Sequence, residues 1–191
     1  MDAEVVAAMA KWPNVPAVFG WLRLTARGEW RIRGEAIGNA AIRAFIGRNY
    51  AVDTHGRWYF QNGPQRVYAA LELTPWVYRV DAQGQVSTHA GVAPTTCLGA
   101  GLLDDGHLLL LTELGAGVVD DRDTAWCLRA VTDFTGLPLN ERGFERWTEG
   151  QDEAFLKPAL LSLDGPLTRI ERLRTADLES RYGFVADPSG P

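Results

Sequence analysis

Residues 53–79, DTHGRWYFQNGPQRVYAALELTPWVYR, constrain the fold more than any other stretch of this chain. Two runs rich in aromatic and β-branched residues, 57–61 and 66–73, flank Asn62-Gly63-Pro64, and Thr74-Pro75 separates them from a third run at 76–80. Strands alternate their side chains between two faces and are bounded by Gly, Asn and Pro. The stretch therefore spells an antiparallel hairpin followed by another strand. Asn62-Gly63 is the expected turn, because both residues tolerate positive φ. Alternation accounts for Trp58, Tyr59, Phe60, Tyr68, Trp76 and Tyr78 as core residues and cross-strand pairs. It does not account for Gln61, Asn62, Gln65 and Arg66 gathered at the turn. Amides beside a guanidinium make a multidentate site for a phosphate, a carboxylate or a base edge.

The same punctuation continues along the chain. Residues 3–11 read as a short amphipathic helix stopped by Pro13 and Pro16. Strands at 18–25 and 29–33 form a hairpin about Ala26-Arg27-Gly28, and Asn39 caps a helix over 40–48 with Ile42, Phe45 and Ile46 on one face. Beyond Gly91, strands are expected at 97–103 and 107–112, Gly115 and Gly117 as turn glycines, and a helix at 125–134. A polar loop with some helical turns follows at 135–157, then a hairpin joining 160–163 to 167–173, and a last helix at 176–182. This predicts an α+β chain with mainly antiparallel sheets. Its expected division is an N-terminal unit with a leading helix at 1–90, a C-terminal unit at 91–185 and a disordered tail at 186–191.

A repeat supports two units. Gly20-Trp21-Leu22-Arg23-Leu24 leads through a turn and a short strand to a helix containing Arg43-Ala44. Gly106-His107-Leu108-Leu109-Leu110 leads at the same offset to Arg129-Ala130. Duplicated halves would leave a groove or interface between them.

Several functions are excluded or unsupported. A net charge of −5 argues against broad nucleic-acid binding and against anionic membrane. No run of about 18 apolar residues offers a membrane span. The N-terminus has no basic segment before an apolar one, so a cytoplasmic location is expected. Cys97 and Cys127 read as reduced, buried thiols, and the three histidines lack metal-ligand spacing. Glu113, Asp120, Asp121 and Asp123 read as a solvated loop and helix start. No phosphate-binding loop, serine-hydrolase elbow or cofactor motif is present, so neither a cofactor nor enzymatic activity is expected.

The segments Lys11-Trp12-Pro13-Asn14-Val15-Pro16, Gly20-Trp21-Leu22, Arg27-Gly28-Glu29-Trp30 and 45–79 resemble a family of uncharacterised proteobacterial proteins, a domain of unknown function. More distantly, Ile42–Phe45, Gly56–Tyr59, Pro64 and Pro75-Trp76 follow an order similar to another bacterial family of unknown function. That second resemblance implies a duplicated α+β core, a pleckstrin-homology-like second half and a nucleotide-like ligand between the halves, with a role in signalling. The expectation is a small-ligand-binding or signalling protein. Arg48, Arg57, Gln61, Asn62, Gln65 and Arg66 would supply polar contacts, and Trp58, Tyr68 and Trp76 stacking surface. The alternative is a protein-interaction module or homodimer that uses an aromatic sheet face.

Overall fold

Hairpins build the first sheet. In the computed structural model, which describes residues 1–190, β1 (Val18–Leu24), β2 (Trp30–Ile32) and the short β3 (Glu35–Ala36) form an antiparallel meander. Helix α2 (Ala40–Arg48) follows, with the Asn39 side chain accepting from the Ala41 and Ile42 N–H groups as the cap that the sequence predicts. A second meander returns through β4 (Tyr50–Val52), β5 (Trp58–Asn62) and β6 (Gln65–Leu71). The two meanders join through β1 and β6, which run parallel, and the sheet order is β3-β2-β1-β6-β5-β4. A parallel pair cannot be closed by a tight turn, and the chain between the two strands, α2 included, is the crossover. Leu22, Leu24, Ala69 and Leu71 bury at this central pair, and Phe45 of α2 meets Phe60 edge-on at 5.4 Å. Ile42, expected on the buried helix face, is exposed.

The second sheet repeats this plan. Strands β9 (Cys97–Leu103), β10 (Leu108–Thr112) and β11 (Gly115–Val119) form one meander; β12 (Val131–Thr132), β13 (Phe155–Leu156) and β14 (Thr168–Leu173) form the other. They join through the parallel pair β9 and β14. The order β11-β10-β9-β14-β13-β12 is that of the first sheet, strand for strand, and a short helix, α3 (Thr124–Leu128), stands where α2 stands. One hairpin is added at the β11 edge, β7 (Trp76–Val80) with β8 (Val86–Thr88), making eight strands. The chain is thus a mixed α+β protein with two mostly antiparallel sheets of one repeated topology. The equivalence pairs β1 with β9. The sequence repeat paired β1 with β10, one strand out of step, because neighbouring apolar strands read alike until their partners are known.

The division between units falls elsewhere than at residue 90. One unit comprises Met1–Pro75, His89–Gly91 and 176–190; the other comprises Trp76–Thr88 and Val92–Thr175. Strand β7 belongs to the second because Trp76 pairs with Gly117 in parallel. The C-terminal residues belong to the first because the Leu71 N–H donates to the Ala186 carbonyl at 2.7 Å and Val185 bridges to Arg57. Residues 186–190 are therefore no disordered tail: Pro188 is buried. Pro191 lies outside the described residues.

Other differences have local causes. Gly117 sits in a strand, not a turn; a Cβ there would lie 2.6 Å from Tyr78 Cε2 and 2.8 Å from Trp76 Cβ. Helix α3 stops at Leu128 because Val131-Thr132 pairs with β13, which leaves Phe134 in solvent. The polar segment holds a full helix, α4 (Glu141–Thr148), capped by Asn140. Residues 160–163 make no hairpin with β14: Pro158 starts a single-turn helix that ends at Ser162 in the left-handed region. Among the described residues no helix is long and apolar enough to cross a membrane.

Candidate functional site

Cross-strand pairing decides which side chains share a face. In the β5–β6 hairpin Gln61 pairs with Arg66 and Tyr59 with Tyr68. Directly opposed residues lie on one side of a sheet, so these four stand together, while Phe60 and Val67 face the other way. The turn is Gly63-Pro64, closed by the Asn62–Gln65 pair, one residue beyond the expected Asn62-Gly63. Gly63 takes φ 56° and Asn62 stays extended. Positive φ at the first central position only, with proline second, is the II′ pattern.

The N-terminal segment runs across this face. Helix α1 (Ala3–Lys11) buries only Val5. Its start is tied down by Asp2, whose backbone N–H donates to Asn49 Oδ1 at 2.8 Å and whose carboxylate accepts from Arg48 at 3.1 Å. Downstream, the Gln65 amide donates to the Pro16 carbonyl at 3.1 Å. Between helix and hairpin lies a cavity of about 440 Å³. Met9, Trp12, Pro13, Val15 and Ala17 line it from one side, and Gln61, Pro64, Arg66 and Tyr68 from the other.

Two features of this wall lack a partner. Gln61 is 1% exposed. Its amide nitrogen donates to the Gly63 carbonyl at 2.9 Å, but its Oε1 is buried with no hydrogen-bond partner. An unsatisfied buried acceptor costs about 1–3 kcal/mol. Arg66 is solvent-exposed, with its guanidinium 4.9 Å from the centre of the Tyr59 ring, and no carboxylate among the described residues pairs with it.

The other predicted arginines are committed elsewhere. Arg48 is held by Asp2. Arg57 binds Asp53 at 2.8 Å and lies over the Tyr68 ring, whose hydroxyl donates to the same carboxylate at 2.9 Å. Burial opposes the charge on Asp53. The Arg57 side chain, the His55 and Arg57 backbone N–H groups and the Tyr68 hydroxyl outweigh that and hold its pKa at about 2. This is a structural cluster that fixes Tyr68, which also stacks on Phe19 at 4.5 Å.

Of the predicted set, then, Gln61, Arg66 and Tyr68 line the cavity, and Gln65 anchors the strap beside it. Asn62 is exposed at the turn. Trp58 packs with Tyr50 at 4.8 Å in an aromatic cluster that includes Trp30 and His89. Trp76 is a core residue of the second unit, its indole donating to the Leu114 carbonyl at 2.7 Å. Sequence reasoning missed Met9 and Trp12 as wall residues. The signal was the Trp12-Pro13-Asn14-Val15-Pro16 run, which turns at Pro13-Asn14 as the chain leaves α1.

The acidic stretch starts helical turns as expected, with Glu113 and Asp121 exposed, but Asp120 and Asp123 are buried and not solvated. Asp120 is fully buried and bonds Arg122 and Arg79, while Asp123 takes Arg79 at 2.6 Å and the Val80 N–H at 3.1 Å. Burial and bonding to Arg122 act oppositely on Asp120, with a net lowering of its pKa. Both cysteines are free and buried, and burial pushes the Cys127 thiol up to about 12. No cluster of three or more His, Cys, Asp or Glu side chains suited to a metal ion occurs among the described residues.

Fold and site together define a duplicated α+β protein whose first unit carries a small polar cavity. The chain belongs to the family described as protein of unknown function DUF2946, whose model matches residues 1–189. It is similar to the crystal structure of a DUF1285 family protein from Silicibacter pomeroyi DSS-3, with TM-score 0.48 and 15% identity, covering 69% of this chain and 86% of that one. It is also similar to one from Shewanella baltica OS155, with TM-score 0.41 and 18% identity, covering 55% and 87% respectively. No curated protein matches the sequence.

Proposed function

We propose that this chain is a non-enzymatic small-ligand-binding protein, acting in the cytoplasm in a signalling role, and that the ligand occupies the cavity between α1 and the β5–β6 hairpin. One observation carries the reading: a buried carboxamide with an open acceptor and a guanidinium without a carboxylate partner share one face beside a cavity. Folded proteins satisfy or avoid buried acceptors, and arginine is well suited to binding phosphates and carboxylates. Concave sites with a few convergent polar groups are where small ligands bind. The ligand fits a nucleotide-like class in offering an anionic group to Arg66.

A thermal-shift screen of the purified chain against nucleotides, cyclic dinucleotides, phosphosugars and aromatic carboxylates tests this. A ligand at a hundred times its Kd stabilises by about 2.7 kcal/mol, which raises the melting temperature by several degrees. The expected result is a dose-dependent rise with one class that disappears in Arg66→Ala, a substitution at an exposed position with little cost to stability. If no compound in the screen shifts the transition, the reading fails.

A second reading, an interaction module, is favoured by a separate observation. Phe134 and Leu137 in the second unit are 77% and 64% exposed, within a segment that also lines an apolar groove with Pro138, Leu139 and Phe144. Sedimentation of the wild type against Phe134→Ser would reveal self-association through that surface.

A further inference from the structure

We infer that the apolar groove of the second unit receives Phe134 of a second copy of this chain, so that two copies pair about a twofold axis with each Phe134 seated in the other's groove. This rests on the interaction-module reading above and names its partner. It is independent of any ligand in the first unit.

The exposed Phe134 belongs to a tight loop whose base is the antiparallel bridge between Thr132 and Pro138. Inside it the Asp133 N–H donates to the Leu137 carbonyl at 2.9 Å, and the Gly136 N–H to the Asp133 carbonyl at 3.0 Å. The Asp133 carboxylate accepts from the Thr135 N–H at 2.8 Å, the Thr135 hydroxyl at 2.6 Å and the Leu137 N–H at 3.1 Å. Gly136 takes φ 81°, which glycine adopts without strain. These bonds fix the loop while it holds a phenyl ring in solvent. A group presented on a rigid loop loses little backbone freedom when it docks.

The groove lies at the base of the same loop. Ala125 and Leu128 of α3, Val131, Pro138, Leu139 and Phe144 of α4 wall a space of about 260 Å³. The chain's own Phe134 is not among these walls. An apolar cavity of about 150 Å³ takes up benzene, so the groove has room for one phenyl ring.

Placement selects a second copy as the occupant. Ring and groove share the short segment 131–139, so one surface patch carries both halves of a contact. A twofold rotation beside that patch seats both rings at once, and such an isologous contact closes at two copies. Charge agrees. Asp133 precedes the ring, and Arg129 is the one charged residue that lines the groove, its guanidinium 3.9 Å from the centre of the Trp126 ring. Exchange of the rings sets acid beside base, where ring against ring would set acid beside acid.

Sedimentation of the full chain up to about 1 mM tests this. Phe134→Ser removes the ring, and Ala125→Arg obstructs the groove from an exposed helix position. The wild type is expected to dimerise. Each variant should dissociate about tenfold more readily or beyond, because a twofold contact loses both seated rings together. The decisive sample is an equimolar mixture of the two variants. There Phe134 of the Ala125→Arg copy still meets the intact groove of the Phe134→Ser copy, so the mixture should associate more tightly than either variant alone. Hydrogen exchange on the wild type needs no variant: protection should rise with concentration within residues 125–144. A mixture no tighter than its components, dimerisation unchanged in Ala125→Arg, or protection rising elsewhere instead each overturns the inference and leaves the interaction-module reading standing on another contact. A wild type that stays monomeric overturns both, and the ligand-binding proposal is untouched.

Discussion

Gln61 and Arg66 face each other across the β5–β6 pair, one side chain buried with a spare acceptor and the other in solvent without a counter-ion. Each makes one contact of its own, Gln61 to the Gly63 carbonyl and Arg66 over the Tyr59 ring, and neither bonds the other. A buried amide next to a β-branched or aromatic residue would pack as well, and an exposed arginine beside a glutamate would gain an ion pair. The juxtaposition makes sense as half of a recognition site, and it yields a stability prediction.

Gln61→Met should change stability by less than about 1 kcal/mol, because the lost bond to Gly63 is offset by removal of an unsatisfied acceptor. Urea unfolding measures it. A loss above about 3 kcal/mol would mean that Oε1 is satisfied in solution.

Asp53 should contribute an acid-labile term. Its pKa of about 2 in the folded chain lies below the ordinary 3.8, so folding favours the charged form. The stabilisation is present above about pH 4 and is lost as pH falls through about 2. For a carboxylate this well buried it amounts to roughly 2 kcal/mol. The stability gap between wild type and Asp53→Asn, followed by urea titration, should narrow across that window and stay constant from pH 5 to 7.

His89 acts in a different window. Burial against Trp30 and Tyr50 drops its pKa to about 3 from 6.5, so the unfolded chain binds the proton first. Stability from the neutral ring is complete above pH 6.5 and declines below it, by up to about 1.4 kcal/mol per pH unit, until about pH 3. His89→Phe should flatten the profile between pH 6 and pH 4, where Asp53→Asn changes nothing. A parallel profile in the variant would show that the ring is protonated when folded.

Gly117→Ala should destabilise by about 2 kcal/mol or more, since a Cβ there meets Tyr78 and the backbone and Cβ of Trp76 under 3 Å. Gly106→Ala is the control: nothing lies within 4 Å, and only its φ of 91° is strained, at a cost of about 1 kcal/mol. Thermal unfolding of both variants separates crowding from backbone strain.

What the sequence by itself determined was local. Asn39 capping α2, the strands flanking Ala26-Arg27-Gly28, and the hairpin carrying Gln61 and Arg66 all follow from residue-by-residue preferences and alternation, which act over a few positions. The duplication was legible in outline for the same reason. Tertiary structure decided everything that depends on distant partners. The parallel joins β1–β6 and β9–β14 set the strand order, and no turn chemistry encodes them. Arg48 meets Asp2 and Trp76 meets Gly117 only through the fold, whereas Asp53, which holds Arg57, is a local partner four residues away. Arg66 kept its charge available because its own strand neighbour is a neutral amide. Charge pairing and burial are set by what the fold brings within a few ångströms, and that information is spread over the whole chain.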